Sequence, residues 1–409
     1  MATTAVGIVT IAFLMSTVTF YNSDEEEALE QRGEQLPLYN SAWDITNTSL
    51  NEIFEKLGNY KEMVNCDNLV NSNIEAMRLA KRWNFNSSEV WPTIYEAPDR
   101  CAKIRGMFAF INDPLSPEEE SYALAYGMLV YQNSLQILYM LSALYQPQNQ
   151  FCIAIDCKAS EEFMQEMETI AGCFGNIHIL YVPRVQWCGF TVVKAVFTCL
   201  EFLNAQMSDW KYYQYLSGGD LPLKTNLEMV RIFKALNGSF NSVIADYPAY
   251  RAMSPHKPPP FTLWKSSLSA TFSRQSADYI VKSPQTAELL SFLSKTECSD
   301  ESIWTTLAGN MHQLPGSFNA WSMRSKILEV LGTLAYARGR TEFGLYQPQK
   351  YYISRFQVWS NVFMPCYGKN VRGSCSYGVR DIPGLLARPE LVAHKFDLDF
   401  QPAAFFCLF

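Results

Sequence analysis

The sequence predicts an α/β protein: a mainly parallel central sheet with helices on both faces. Two observations carry this. Between about Leu124 and Leu236, short apolar runs alternate with amphipathic segments in the order strand, loop, helix. The chain has 409 residues, 48% hydrophobic and 14% aromatic, enough to bury a large core.

The elements follow in order. Gln150 to Ile155 reads as a buried strand ending at Asp156. Ser160 then caps a helix whose Phe163, Met164, Met167 and Ile170 share one face. His178 to Val182 is the next strand, Phe190 to Met207 an apolar helix and Lys211 to Leu216 a further strand. Ser217 to Lys224 is a loop, and Thr225 with Glu228 forms a capping box that opens a helix from Asn226 to Leu236. The proline-rich stretch Met253 to Pro260 is an irregular connection between halves. Beyond it come a strand near Leu268 to Phe272, helices around Pro284 to Lys295 and Asp300 to Gln313, and an irregular, cysteine-bearing tail from Tyr351.

At the other end, Ala2 to Ser23 carries no charge and is apolar enough to enter a bilayer, while Asp24 to Glu27 are acidic. That flank favours a type II signal anchor with a lumenal body. No basic segment precedes the run, which weighs against a cleaved signal peptide. Asn22 to about Tyr60 is polar and suits a stem. The expected organisation is an anchor at 1–23, a stem at 24–60 and a globular domain at 61–409, with a nucleotide-binding half at about 122–250 and the rest of the site at 251–409.

Several function classes fall away. A formal charge of −7 offers no dense basic face for nucleic acid. Neither GxxxxGK[ST] nor a GxGxxG after a strand occurs. The four histidines, His178, His256, His312 and His394, have no metal-ligand spacing. Eleven cysteines without CxxC pairs read as disulfides of an oxidising compartment, their odd number leaving at least one thiol unpaired. Sequons at Asn47, Asn86 and Asn237 agree with that compartment.

Ligands of open α/β sheets bind beyond the carboxyl ends of the strands, where Asp156 and Ser217 to Asp220 fall. The plain reading of Asp156 is a turn former, and of Gly218 and Gly219 a tight turn. The sharper reading gives Asp156 a nucleotide hydrogen bond and lets the glycine backbone approach a ligand. Asp300 and Glu301 suit a first helical turn, where the helix dipole favours acids. Arg372, between Cys366 and Cys375, and Lys395 taken singly are surface cations.

Together these segments resemble glycosyltransferase family 14, best known for the core 2 β-1,6-N-acetylglucosaminyltransferases. The resemblance runs from about Cys101 to Cys407. It rests on Leu144 to Asn149, the strand ending Asp156-Cys157-Lys158, Asp209-Trp210-Lys211-Tyr212, Leu216 to Thr225, Asp300-Glu301-x-x-Trp304, Arg355-Phe356-x-x-Trp359 and His394-Lys395-Phe396-Asp397.

The resemblance implies a GT-A type fold with a Rossmann-like sheet, stabilised by disulfides, and an inverting enzyme that uses UDP-GlcNAc without a cofactor or divalent metal. The acceptor would be the 6-hydroxyl of a sugar on a glycoprotein O-glycan. Arg372 and Lys395 would hold the diphosphate, Glu301 would be the catalytic base, Trp359 and Arg251 would contact the acceptor, and Asp156, Leu129 and Tyr131 would line the uridine site. It also implies disulfides Cys66–Cys407, Cys101–Cys173, Cys152–Cys199 and Cys366–Cys375, with Cys157, Cys188 and Cys298 unassigned. The setting would be the Golgi membrane, single-pass type II, with a homodimer allowed. Asp397-Leu398-Asp399 has the letters of a metal motif but reads as structural.

There are departures. Ser239 to Pro260 is short, leaving Arg251 as the plausible acceptor cation there. Ser217 stands where some relatives have cysteine, and Ser266 to Phe272 lacks the Gly-Ser-aromatic run found near the donor. Two alternatives stay open: a UDP-xylose enzyme like the protein O-xylosyltransferases, and a catalytically silent glycan-binding relative.

Overall fold

The computed structural model describes residues 57–252, 258–326, 351–360 and 364–409. The signal anchor, almost all of the stem, Asn47 and the Met253–Lys257 segment lie outside the described residues. Among the described residues, no helix is long and apolar enough to cross a membrane.

The central sheet has five strands. In chain order they are β1 (Leu124–Val130), β2 (Gln150–Asp156), β3 (Ile177–Val182) and β4 (Tyr212–Ser217), followed after three intervening short strands by Thr271–Ser273. Their spatial order is β3, β2, β1, β4 and Thr271–Ser273. The first four run parallel and the last is antiparallel to β4. Strands buried on both faces read as near-continuous apolar runs, which is how β1 and β2 look in sequence.

Helices cover both faces. On one side, Ala125, Cys152, Ala154, Tyr213 and Phe272 pack with helices Phe190–Ala205 and Ile303–Asn310. On the other, the Tyr212 ring stacks at 4.8 Å on Phe233 of helix Asn226–Leu236, and Tyr126 Oη donates to Met229 Sδ. The capping box of that helix is present, with Thr225 N donating to Glu228 Oε2 at 2.7 Å and Glu228 N to Thr225 Oγ1 at 3.2 Å. Ser160 likewise caps helix Glu161–Ala171.

Three sequence expectations are corrected. Ser217 to Lys224 is not all loop: it contains β5 (Asp220–Pro222), whose partner comes from near the carboxyl terminus. Asp300 and Glu301 do not open an α-helix; they lie in a 3-10 turn, Ser299–Glu301, and the α-helix begins at Ile303. Helix Arg274–Lys282 was not foreseen, its short polar sequence hiding a buried face of Ala277 and Ile280.

The remaining strands are β6 (Ala245–Asp246), β7 (Trp264–Lys265), β8 (the Thr271–Ser273 strand), β9 (Phe356–Gln357), β10 (Lys369–Val371), β11 (Ser374–Ser376) and β12 (Val392–His394). The tail is therefore built, not irregular: β5, β12 and β9 form a small sheet, and β10 with β11 forms a hairpin.

The disulfides Cys66–Cys407, Cys101–Cys173, Cys152–Cys199 and Cys366–Cys375 are the four pairs expected. A fifth joins Cys188 to Cys298, and Cys157 is exposed and unpaired. Each such crosslink stabilises by about 2–4 kcal/mol. Asn86 and Asn237 are both exposed.

Candidate functional site

Beside β4 a cleft of about 570 Å³ opens, lined among others by Glu301, Asp300, Arg251, Lys265, Arg355 and Trp359. The 3-10 turn delivers Glu301, and its carbonyl accepts from Ser266 N at 2.6 Å. Arg251 Nη1 lies 2.7 Å from Glu301 Oε2, and Lys265 Nζ lies 3.5 Å from the same oxygen. The Arg251 contact is ionic without hydrogen-bond alignment. Both cations engage Oε2, so among the described residues no ion pair occupies Oε1. At 29% exposure the carboxylate is open to a ligand in the cleft.

Several buried polar atoms around this cleft have no hydrogen-bond partner among the described residues: Ser266 Oγ, Asp300 Oδ1 and Arg355 Nε. Such orphans are costly in a core and are accounted for when a ligand completes them. Burial, and then the adjacent Glu301 charge, pushes the Asp300 carboxyl up to about 6. Asp300 was read from sequence only as a helix-turn acid; its place in the cleft follows from the 3-10 turn, which sequence periodicity does not reveal.

The cations sit on the next ledge. Arg372 and Gly373 form the two-residue turn between β10 and β11, with φ of +55° and +82°. Positive φ at both positions is the type I′ geometry that matches hairpin twist. Arg372 accepts a conformation that most side chains avoid, and it stands exposed. Trp359 bridges Ser374 of this hairpin, and Ser360 N donates to Gly373 O at 2.8 Å. Lys395 N donates to Cys375 O, and its Nζ donates to Val371 O at 3.1 Å. Burial, and then the like charge of Arg372, hold the Lys395 ammonium below its ordinary value. Two cations close enough to repel are a ready partner for an anion.

Beside them lies a buried network around Asp220. Asp220 receives Arg355 Nη2 at 2.6 Å and Ser217 N at 2.7 Å on Oδ2, and His394 Nδ1 at 2.8 Å on Oδ1. Burial raises the Asp220 carboxyl, but Arg355, His394 and Ser217 outweigh it and hold the group below its usual value. Gly219 admits the neighbouring strand: a Cβ there would meet Lys395 Cβ at 3.2 Å. A Cβ on Gly218 would make only ordinary 3.6 Å contacts with Ile137 and Val130; the two glycines form the turn between β4 and β5, in accord with the tight-turn reading.

Asp156 ends β2, with Val130 of β1 opposite Ile155. Its carboxylate accepts from Lys158 N at 3.0 Å and Val185 N at 3.2 Å, and pairs with Lys158 Nζ at 2.8 Å. Lys158 Nζ also lies 4.3 Å from the centre of the Tyr131 ring, which is 40% exposed, while Leu129 is partly buried. Glu301, Arg251 and Trp359 therefore share one cleft. Asp156, Leu129 and Tyr131 cluster at the carboxyl ends of β1 and β2, and Arg372 and Lys395 stand at the hairpin. Gln136 ties the β4–β5 turn to the segment that follows Lys395, donating to Gly218 O at 2.8 Å and accepting from Leu398 N at 2.8 Å. Asp397 pairs with Lys369 at 2.7 Å and accepts from Asp399 N at 3.2 Å, a structural use of that acidic pair. The sequence gives no site role to Lys265, Arg355 or His394, whose partners lie far along the chain.

The Core-2/I-Branching enzyme family matches residues 124–327, a span that includes Asp156 and Glu301 and ends before Trp359, Arg372 and Lys395. The chain is 29% identical to human beta-1,3-galactosyl-O-glycosyl-glycoprotein beta-1,6-N-acetylglucosaminyltransferase over 328 residues, 75% of this chain and 74% of that one. It is 27% identical to the human enzyme of that name numbered 3, over 85% of this chain and 82% of that one. Among solved structures, apo mouse xyloside xylosyltransferase 1 aligns at a TM-score of 0.26 and 11% identity, over 46% of this chain and 81% of that one, too slight a likeness to bear on fold or function. The chain belongs to the Core-2/I-Branching enzyme family and is a glycosyltransferase.

Proposed function

We propose that the protein transfers N-acetylglucosamine from UDP-GlcNAc to the 6-hydroxyl of a sugar on a glycoprotein O-glycan, inverting the anomeric centre without a divalent metal. The proposed setting is the Golgi lumen, with a type II anchor and a GT-A type domain; the parallel order of β3, β2, β1 and β4 suits that fold.

The observation that carries this reading is the Glu301 carboxylate, part-exposed in a cleft, with cations on one oxygen and orphaned polar atoms around it. Glu301 takes the proton from the acceptor hydroxyl while that oxygen attacks C1 of the donor sugar. The C1–O bond to UDP breaks, and its electron pair leaves with the diphosphate. A positioned general base contributes about 10²–10⁴ in rate. Lys395 and Arg372 offset the charge growing on the leaving group, the guanidinium as a fork and the ammonium as a point charge. Asp156, Leu129 and Tyr131 receive the uridine, and Trp359 and Arg251 hold the acceptor.

Purified protein from about Glu30 onward, offered UDP-sugars and a glycan array in excess EDTA, tests the reading. Transfer of N-acetylglucosamine with EDTA present supports it. A requirement for added manganese overturns the two-cation mechanism, and preference for UDP-xylose overturns the donor.

A further inference from the structure

We propose that Trp187 is a stacking platform for a second sugar ring of the acceptor; this rests on the reading above that the cleft binds a glycan. Trp187 lines the same cleft as Glu301 and Trp359, yet it is 90% exposed, against 43% for Trp359. Four tryptophans elsewhere, Trp83, Trp210, Trp264 and Trp304, are buried, and Trp321, exposed at 64%, packs edge-on against Trp264 outside the cleft. An indole left in water beside a site of proton transfer offers what a pyranose ring needs, a flat apolar face for its C–H groups and an N–H for a hydroxyl.

The indole stands on a rigid mount. Cys188 is joined to Cys298, and Cys298 N donates to Cys188 O at 2.8 Å. Gly189 N donates to Gln186 O at 3.0 Å, and Gln186 N to Thr191 Oγ1 at 2.9 Å. Cys298 leads directly into the Ser299–Glu301 turn. One crosslink therefore ties the platform to the segment that carries the base, so a ring stacked on Trp187 is held in register with the hydroxyl to be deprotonated. Preorganisation of this kind removes the ordering cost of binding. With Trp359 on the hairpin side and Trp187 on the disulfide side, the cleft is furnished for an acceptor of two rings.

Isothermal titration of the lumenal protein with methyl N-acetylgalactosaminide and with its β1,3-galactosylated disaccharide tests this, alongside UDP. The wild type is expected to bind the disaccharide more tightly. Trp187→Ala should weaken the disaccharide about tenfold and the monosaccharide less than about twofold, with Trp187→Phe between. Cys188→Ser with Cys298→Ser should lose the same disaccharide preference. Equal loss on both sugars, or no loss, overturns the platform while leaving the acceptor reading intact. Failure of the wild type to bind either sugar while binding UDP overturns the acceptor reading, and the platform with it.

Discussion

Asp220 and Glu301 each face a pair of basic side chains, and the two carboxylates are held very differently. Asp220 is fully buried, and Arg355, His394 and the Ser217 amide occupy its oxygens. Glu301 is part-exposed in a cleft, with Arg251 and Lys265 gathered on one oxygen. A saturated carboxylate can only hold structure together. A carboxylate left with lone pairs to spare can accept a proton, and its cationic neighbours fix where it points. The difference lies in completeness of partnership and not in charge.

Asp220→Ala is the largest way to break that contrast. It leaves Arg355 and His394 buried without their anion and should cost about 3–5 kcal/mol of stability in denaturant unfolding. A loss well under that range would mean the network is dispensable and Asp220 is not the structural member of the pair. Next, Lys395→Ala and Arg372→Ala should each reduce turnover about 10²–10³-fold with little change in unfolding midpoint. Equal loss of stability would return these cations to the structural side.

Asp300 sharpens the comparison through pH. Its carboxyl, raised to about 6 by burial and then by Glu301, binds a proton more tightly when folded. The stability this gives is full below the unfolded value near 4 and is lost as pH rises through about 6. His394, held below its ordinary value by burial, acts in the opposite direction. The readout is therefore the difference between wild type and Asp300→Asn across pH 4 to 7 in thermal unfolding, a range that takes in both values. A flat difference removes Asp300 from the titrating groups of the cleft. The smallest effect is expected for Lys265→Ala: a half-exposed partner at 3.5 Å should change turnover by less than about fivefold.

What could be read in advance follows from how local each signal is. The strand ending at Asp156, the Ser160 cap and the Thr225–Glu228 capping box are written within a few residues, and each stands where the sequence put it. β5 was read as loop because three residues form a strand only when β12 arrives from about 170 positions later. Asp300 and Glu301 were placed on an α-helix because a 3-10 turn leaves no periodicity of its own. Glu301, Arg251 and Trp359 came through resemblance and share a cleft. Lys265, Arg355 and Trp187 were not assigned roles there, since their places depend on β7, β9 and a disulfide that pairs residues 110 apart.

That Glu301 is the base is tested most directly by Glu301→Gln, with transfer from UDP-GlcNAc and affinity for UDP measured on the same protein. Turnover is expected to fall about 10²–10⁴-fold while UDP binds as before. Turnover equal to that of the wild type would contradict it.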